Sequence, residues 1–290
     1  MREPWAGSQG MSYPPAMLPG MAEFRDTPFD ALPSGLPPGR LIVPDEGGWP
    51  GGPVMWVSDK PVPDAAVLWM RLHESHPETG FYPLLLEPLC REPDRPWHSG
   101  ELFPPLSVGA IDVLRADGVL QRFWEMVSEE LPEDADESER VDHNGVPRGP
   151  WPGLAPATPP GDDPDQTVRE HVLARYAGDD VLLGLVPAAR GADALTRMGW
   201  SGPCNHTDHP QEISAVVRSW EDRFGARVMS VGFGTLDLSV AAPPTTLDQA
   251  IDIAVEHHAF CPDNISQGCG DFLQYAESLV GAVRWSFWWD

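Results

Sequence analysis

Apolar residues recur at helical spacing in three stretches of the second half of the chain, residues 210–225, 246–261 and 271–280. This spacing predicts three amphipathic helices, each with one buried side. At or just before the start of each stretch stands a residue whose side chain can accept a hydrogen bond from the first helical turn. These predicted caps are Asp208, Thr246 in a capping box with Gln249, and Asp271.

Two further segments alternate between apolar and polar residues, as β-strands do. One is centred on Gly234-Thr235 and predicts a β-hairpin with one buried face. The other closes the chain and predicts a strand. Its buried face would be Trp285, Phe287 and Trp289, and its other face Ser286, Trp288 and Asp290.

The first half of the chain has fewer such signals. Val54–Val57 predicts a strand, Pro63–His76 a helix and Phe81–Leu86 a second strand, which together form a strand-helix-strand unit. The other predicted elements are a helix at Ile111–Leu131, a helix from Asp163-Pro164 to Tyr176, and a strand at Val181–Val186.

Because helices and strands intermix, we predict an α/β (or α+β) fold. Its mixed β-sheet would have helices packed on it, with a β-hairpin followed by two helices and a Trp-rich terminal strand. Composition divides the chain into a disordered Pro/Gly-rich segment (1–40), an N-terminal α/β part (41–131), an acidic Pro/Gly-rich linker or insertion (132–165) and a C-terminal domain (166–290). A single domain with an insertion is the alternative, in which the first half shares the sheet of the second.

Charge and composition exclude several classes of function. With 44 acidic and 19 basic residues, the net charge of -25 repels phosphate backbones and anionic lipid, so we predict binding to neither nucleic acid nor membranes. No apolar run is long enough for a signal-peptide core or a membrane span, which predicts a soluble cytoplasmic protein. The cysteines form no CxxC pair, so reduced thiols are expected at Cys90, Cys204, Cys261 and Cys269.

Several motifs in the C-terminal part carry a family resemblance. They are Met198–Pro203, Phe224–Ala226, Leu236–Pro244, Phe260–Asp263 with Gln267-Gly268, and Trp285–Asp290. Together they resemble the bacterial family called domain of unknown function 4253, and Gly80–Leu86 does so more loosely. That family has no established activity, so the resemblance implies neither catalytic residues nor a cofactor, and we assign neither.

Cys261 is the first thiol to consider as a nucleophile, since Glu256, His257 and His258 precede it and Asp263 follows. Its place at a helix C-terminus opposes activation, because the helix dipole there disfavours a thiolate. His258 lies on the apolar stripe as a core histidine, while His257 points the other way. We interpret Cys261 as a small buried hydrophobe.

Cys204, His206 and His209 form a Cys-x-His-x-x-His cluster that could supply three zinc ligands, with Cys261, Cys269 or water as the fourth. The alternative is a tight turn in which His206 and Asp208 cap the next helix. Without a CxxC pair we predict no metal site and keep these three residues as candidates.

Polar residues next to the aromatic end form the predicted binding site: Cys261, Asp263, Asn264, Trp288 and Asp290. Asp263 and Asn264 would form an Asx-stabilised turn, and Asp290 would bring carboxylates beside Trp288. No motif of a serine hydrolase, phosphate loop, dinucleotide site or zinc protease occurs. Asp252 and Glu256 are predicted to lie on a solvated helix face.

Two hypotheses follow. The first is a non-catalytic binding protein that uses the Trp-rich terminal strand and the Cys-Pro-Asp loop, with a basic protein partner and an immunity-like role. The second is an enzyme of unknown reaction whose pocket combines His206, His209, Cys261, Asp263 and Asp290. We favour the first, because none of these residues stands in a recognised catalytic pattern.

Overall fold

One β-sheet organises the protein. The computed structural model describes residues 28–128, 131 and 136–290. Its strands are β1 (Gly39–Ile42), β2 (Met55–Ser58), β3 (Phe81–Glu87), β4 (Leu182–Pro187), β5 (Ala226–Gly232), β6 (Thr235–Val240) and β7 (Arg284–Trp288). They pair in the order β1-β2-β4-β3-β5-β6-β7. Neighbours are antiparallel except β3 and β5, which are parallel, and this confirms the predicted mixed sheet.

Helices cover both faces of this sheet. They are α1 (Ala65–Thr79), α2 (Val108–Asp112), α3 (Ala116–Val127), α4 (Pro164–Tyr176), α5 (Gly191–Met198), α6 (Pro210–Phe224), α7 (Leu247–Phe260) and α8 (Phe272–Leu279). Phe81 and Leu85 of β3 pack in one cluster with Trp69 of α1, whereas Tyr82 and Leu84 belong to the cluster that contains α3, α5, α6 and α7. Since both faces are buried, β3 is a continuous apolar run rather than an alternating one.

Three of the predicted helix starts are confirmed by capping hydrogen bonds. Asp163, Thr246 and Asp271 accept hydrogen bonds from the first turns of α4, α7 and α8. Asp208 is an exception, because the N-cap of α6 is His209, which makes no side-chain capping bond. Gly225 ends α6 in the left-handed region at φ 62°.

The single helix predicted at Ile111–Leu131 is wrong, because the chain forms two helices there, α2 and α3. Val113 is 80% exposed and Arg115 has extended backbone angles at the break. Helix α2 packs on α5 and α6, whereas α3 packs on α6 and α7. One straight helix could not follow both surfaces, so tertiary packing decides the break.

The strand-helix-strand unit of the first half exists, but its two strands are not neighbours. Strand β4 from the second half lies between β2 and β3 and is antiparallel to both. Gly184 of β4 permits the close approach, since a Cβ there would lie 2.7 Å from Leu86 Cδ1. One sheet therefore combines strands from both halves.

The hairpin of β5 and β6 and the helix α8 depart from their predicted faces. Both faces of the hairpin are largely buried, because α4 packs over the face predicted to be polar, and Tyr176 there donates a hydrogen bond to Ser230 Oγ at 2.8 Å. Leu273 and Val280 belong to the apolar residues of the amphipathic helix predicted at 271–280 and were expected on its buried side, but they are 49% and 41% exposed. The short helix α8 covers one side only, through Phe272, Ala276 and Leu279.

Parts of the segments predicted as disorder and linker pack on the sheet domain. Phe29 is buried, with its ring 5.6 Å from that of Phe81, while residues 1–27 lie outside the described part. From the Pro/Gly-rich segment, Val146 and Ala155 are buried in the main core. Trp151 Nε1 donates to Asp117 Oδ1 of α3 at 2.8 Å. Much of the acidic run at 129–137 is outside the described residues.

Among the described helices, none is both long enough and apolar enough to cross a lipid bilayer.

Candidate functional site at the end of the sheet

The loop that follows α7 lies against the last strand. Residues Asn264–Cys269 form a π-helical turn. The predicted Asx turn does not describe the role of Asn264, whose side chain reaches across to β7 instead. Asn264 Nδ2 donates to Ser286 O at 2.7 Å and to Tyr275 OH at 3.0 Å, and its Oδ1 accepts from Trp288 N at 3.3 Å.

These contacts cap the edge of the sheet. Strand β7 is the last in the sheet order, so backbone groups on its outer side have no partner strand within the described part of the chain. Asn264 supplies the donor and the acceptor that a further strand would offer. Because its side chain is buried, these contacts fix the loop to the strand.

Cys261 lies inside this junction. Its thiol is fully buried and donates to Trp288 O at 2.9 Å. Burial is the main reason why the pKa of the Cys261 thiol is raised, to about 12. The group is therefore a protonated hydrogen-bond donor at neutral pH, which disfavours nucleophilic chemistry.

Alkylation should distinguish Cys261 from the other thiols. With its pKa raised to about 12, its thiolate fraction at pH 8 is about one in ten thousand. We expect iodoacetamide to modify the exposed Cys90, Cys204 and Cys269 in the folded protein and to spare Cys261 until denaturant is added. Peptide mass spectrometry measures this directly, and equal rates at Cys261 and Cys204 would contradict the assignment.

Asp263 and Asp290 meet at the exposed side of the junction. Asp290 N donates to Asp263 Oδ2 at 3.1 Å, and Gln267 Nε2 donates to Asp263 Oδ1 at 2.7 Å. Trp288 beside them is half-buried. Asp263, Trp288 and Asp290 form what we call the acidic corner, and neither carboxylate makes an ion pair with a cation in the described part of the chain.

The histidine and cysteine candidates for a metal site lie near this corner but in different environments. Cys204 is exposed, and His209 is exposed with its ring 3.3 Å from Asp208. His206 packs on Phe123 with ring centroids 4.5 Å apart, and burial lowers the pKa of His206. In the described residues, no group of three or more His, Cys, Asp or Glu side chains is placed to hold a metal ion.

The five residues of the hypothetical enzyme pocket also differ in their environments. They are His206, His209, Cys261, Asp263 and Asp290. The structure joins Asp263 to Asp290, buries Cys261, and leaves His209 exposed beside Asp208. His206 is near enough to Asp263 for that carboxylate to act on its pKa, although burial has the larger effect.

Glu256 departs furthest from its predicted environment. It was predicted to be solvated but is fully buried. Its carboxylate accepts from Arg223 Nη1 and Nη2 at 2.7 and 2.6 Å, from Trp220 Nε1 at 2.7 Å and from Ala155 N at 2.6 Å. The hydrogen-bond donors come from α6 and from the Pro/Gly-rich segment, so spacing along α7 holds no signal for them.

The prediction that His257 points away from the buried side of α7 is also wrong. It is fully buried and its Nδ1 lies 3.0 Å from Tyr275 OH, while burial lowers its pKa to about 3. His258 is buried too, as its place on the apolar stripe predicted, with a pKa lowered to about 4 mainly by burial. Helix α7 is therefore buried on more of its surface than its one stripe of apolar residues predicts.

The fold and the junction define a mixed α/β protein whose edge strand is closed by a C-terminal loop. Residues 182–290, the C-terminal part of the chain from β4 onward, match the model of the family described as Domain of unknown function (DUF4253). A search of curated proteins found no match, and a search of solved structures found none either.

Proposed function

We propose that the protein is a non-catalytic interaction protein that binds a basic protein partner at the acidic corner. The observation that carries the proposal is the hydrogen bond from Asp290 N to Asp263, where neither side-chain carboxylate is paired with a cation among the described residues. On a chain of net charge -25, such a site attracts positive charge. More specifically, we propose an immunity-like role, in which this acidic protein binds a basic, toxin-like protein.

The contacts at the corner also favour binding because they hold it in one arrangement. Asp263 accepts hydrogen bonds from Gln267 and from Asp290 N, so little ordering is needed when a partner arrives. Trp288 offers an aromatic face for an arginine or lysine. The core residues Trp285, Phe287 and Trp289 support the surface from below rather than forming it.

Native mass spectrometry of the untagged protein, purified gently from its own host, tests this proposal. We expect a stoichiometric companion protein of basic isoelectric point, bound less tightly as salt is raised. The double variant Asp263→Asn/Asp290→Asn should weaken binding by at least about tenfold, since each rim charge adds on the order of 1 kcal/mol.

The matched control is Asp248→Asn/Asp252→Asn, which changes net charge equally at two exposed positions of α7. It should bind as the unaltered protein does. Equal weakening by both double variants would mean that overall charge, not the corner, attracts the partner. An acidic partner of equal affinity would overturn the proposal.

A further inference from the structure

A second feature is a polar cavity of about 170 Å³, which shares no residue with the acidic corner. Its walls come from α1, β3, α4, the start of α5, α6 and β5. Glu74 and Pro77, both exposed, stand among the lining residues, so the cavity opens to the surface.

Three arginines line this cavity, and two of them are matched by carboxylates. Arg227 Nε contacts Asp165 Oδ1 at 2.6 Å, and Arg190 contacts Glu221 and Asp222 at 2.6 Å each. Glu221 also accepts from Ala192 N at 2.9 Å, so the N-terminus of α5 already has its anion. These two arginines therefore need no outside ligand.

Arg169 of α4 is the third, and no carboxylate of the described residues forms an ion pair with it. Its Nη2 donates to Gln166 Oε1 at 3.1 Å, and its Nη1 lies 3.4 Å from His73 Nδ1. A guanidinium has five N–H donors, so donors remain for a ligand. Arg169 is thus the arginine of this lining that has no ion pair, although the carboxylates of Glu74 and Asp165 also line the cavity.

His73 of α1 supplies a second, neutral donor at the same wall. It is 4% exposed and stacks on Trp69 at 4.7 Å. Because arginine can only donate, His73 Nδ1 must be an acceptor toward Arg169, which places the proton on Nε2. Burial, the largest cause, lowers the pKa of His73 to about 4, consistent with this neutral form. Within the described residues its only side-chain hydrogen bond is the one through Nδ1, so the Nε2–H is left for a ligand in the cavity that His73 lines.

The volume and walls limit the size of the ligand. A cavity of about 150 Å³ is enough for a benzene ring. Tyr82 and His76 present aromatic surface to the cavity, with their rings edge to face at 5.2 Å. With carboxylates also in the lining, the one arginine without an ion pair suits a monoanion better than a dianion, because surplus charge in a partly buried site is costly.

We propose that this cavity binds a small organic carboxylate of about benzoate size, with the carboxylate on Arg169 and His73 Nε2–H and the body of the ligand against Tyr82 and His76. Arginine suits the planar carboxylate through paired hydrogen bonds.

Isothermal titration of the full chain with benzoate, its neutral isostere benzamide and inorganic phosphate tests the site. We expect benzoate to bind at least about tenfold more tightly than benzamide or phosphate. Imidazole signals of His73 should move in NMR spectra on addition of benzoate, while those of the exposed His143 should not.

Arg169→Gln should weaken benzoate binding by at least about tenfold, because a hydrogen bond to a charged group is lost. Arg175→Gln on the same helix, outside the cavity, is the matched control and should leave binding unchanged. Since both arginines are partly exposed, both variants should melt as the unaltered protein does. The proposal is overturned by equal binding of benzamide, by tighter binding of phosphate, by no binding of benzoate, or by an unaltered affinity in Arg169→Gln.

Discussion

The C-terminal fragment 166–290, expressed alone, should not fold cooperatively. It would contain β4 without β2 and β3, the strands that pair with it on either side, and β5 without β3. Leu183 and Leu185, both fully buried in the chain, pack in a cluster with Trp56 and Trp69 of the first half. Burying each such leucine is worth about 1.5–3 kcal/mol, and a whole domain is stable by only about 5–15 kcal/mol.

Thermal unfolding followed by circular dichroism, with an amide NMR spectrum, checks this expectation. The control is a chain that starts at Pro28 and keeps all seven strands, which should retain a cooperative transition. A sharp melt and a dispersed spectrum for fragment 166–290 would show instead that the C-terminal part is a domain by itself.

Glu256→Ala should destabilise the protein by about 3–5 kcal/mol, the usual cost of removing one partner from a buried ion pair. Arg223, whose side chain is 13% exposed, would keep its charge in the interior without a counter-ion. Trp220 Nε1 and Ala155 N would also lose their acceptor. Denaturant unfolding, with the free energy extrapolated to water, gives the loss.

Asp252→Ala provides the matched control, because Asp252 lies one turn earlier on α7 and is exposed. Its effect should stay within about 0.5 kcal/mol. If the two variants lost equal stability, the bonds that join Glu256 to α6 and to residue 155 would have to be reconsidered.

Local chemistry made many features of the fold predictable. Asp163, Thr246 and Asp271 cap helices because a short polar side chain bonds the first turn wherever that turn occurs. Trp285, Phe287 and Trp289 are buried as their alternation predicts, since side chains on a strand point to opposite faces. Such rules act over a few residues and do not depend on the surface against which a helix or strand packs.

The candidate site was predictable only in part. Cys261, Asp263, Asn264, Trp288 and Asp290 do come together at one junction. That Asn264 caps the edge of β7 could not be foreseen, because the sheet order decides which strand lies at an edge. The cavity had no local signal, since Arg169 and His73 are brought together by the packing of α4 on α1.

Neighbouring residues and short motifs were enough to predict three helix caps, the strand periodicity, the mixed α/β class and the family whose model the C-terminal part matches. Tertiary structure alone decided that β4 lies between β2 and β3, that a helix breaks at Val113, and that Glu256 is buried beneath Arg223. Each of these depends on which surfaces meet. A carboxylate at a polar helical position has the same pattern whether it faces water or an arginine from another helix.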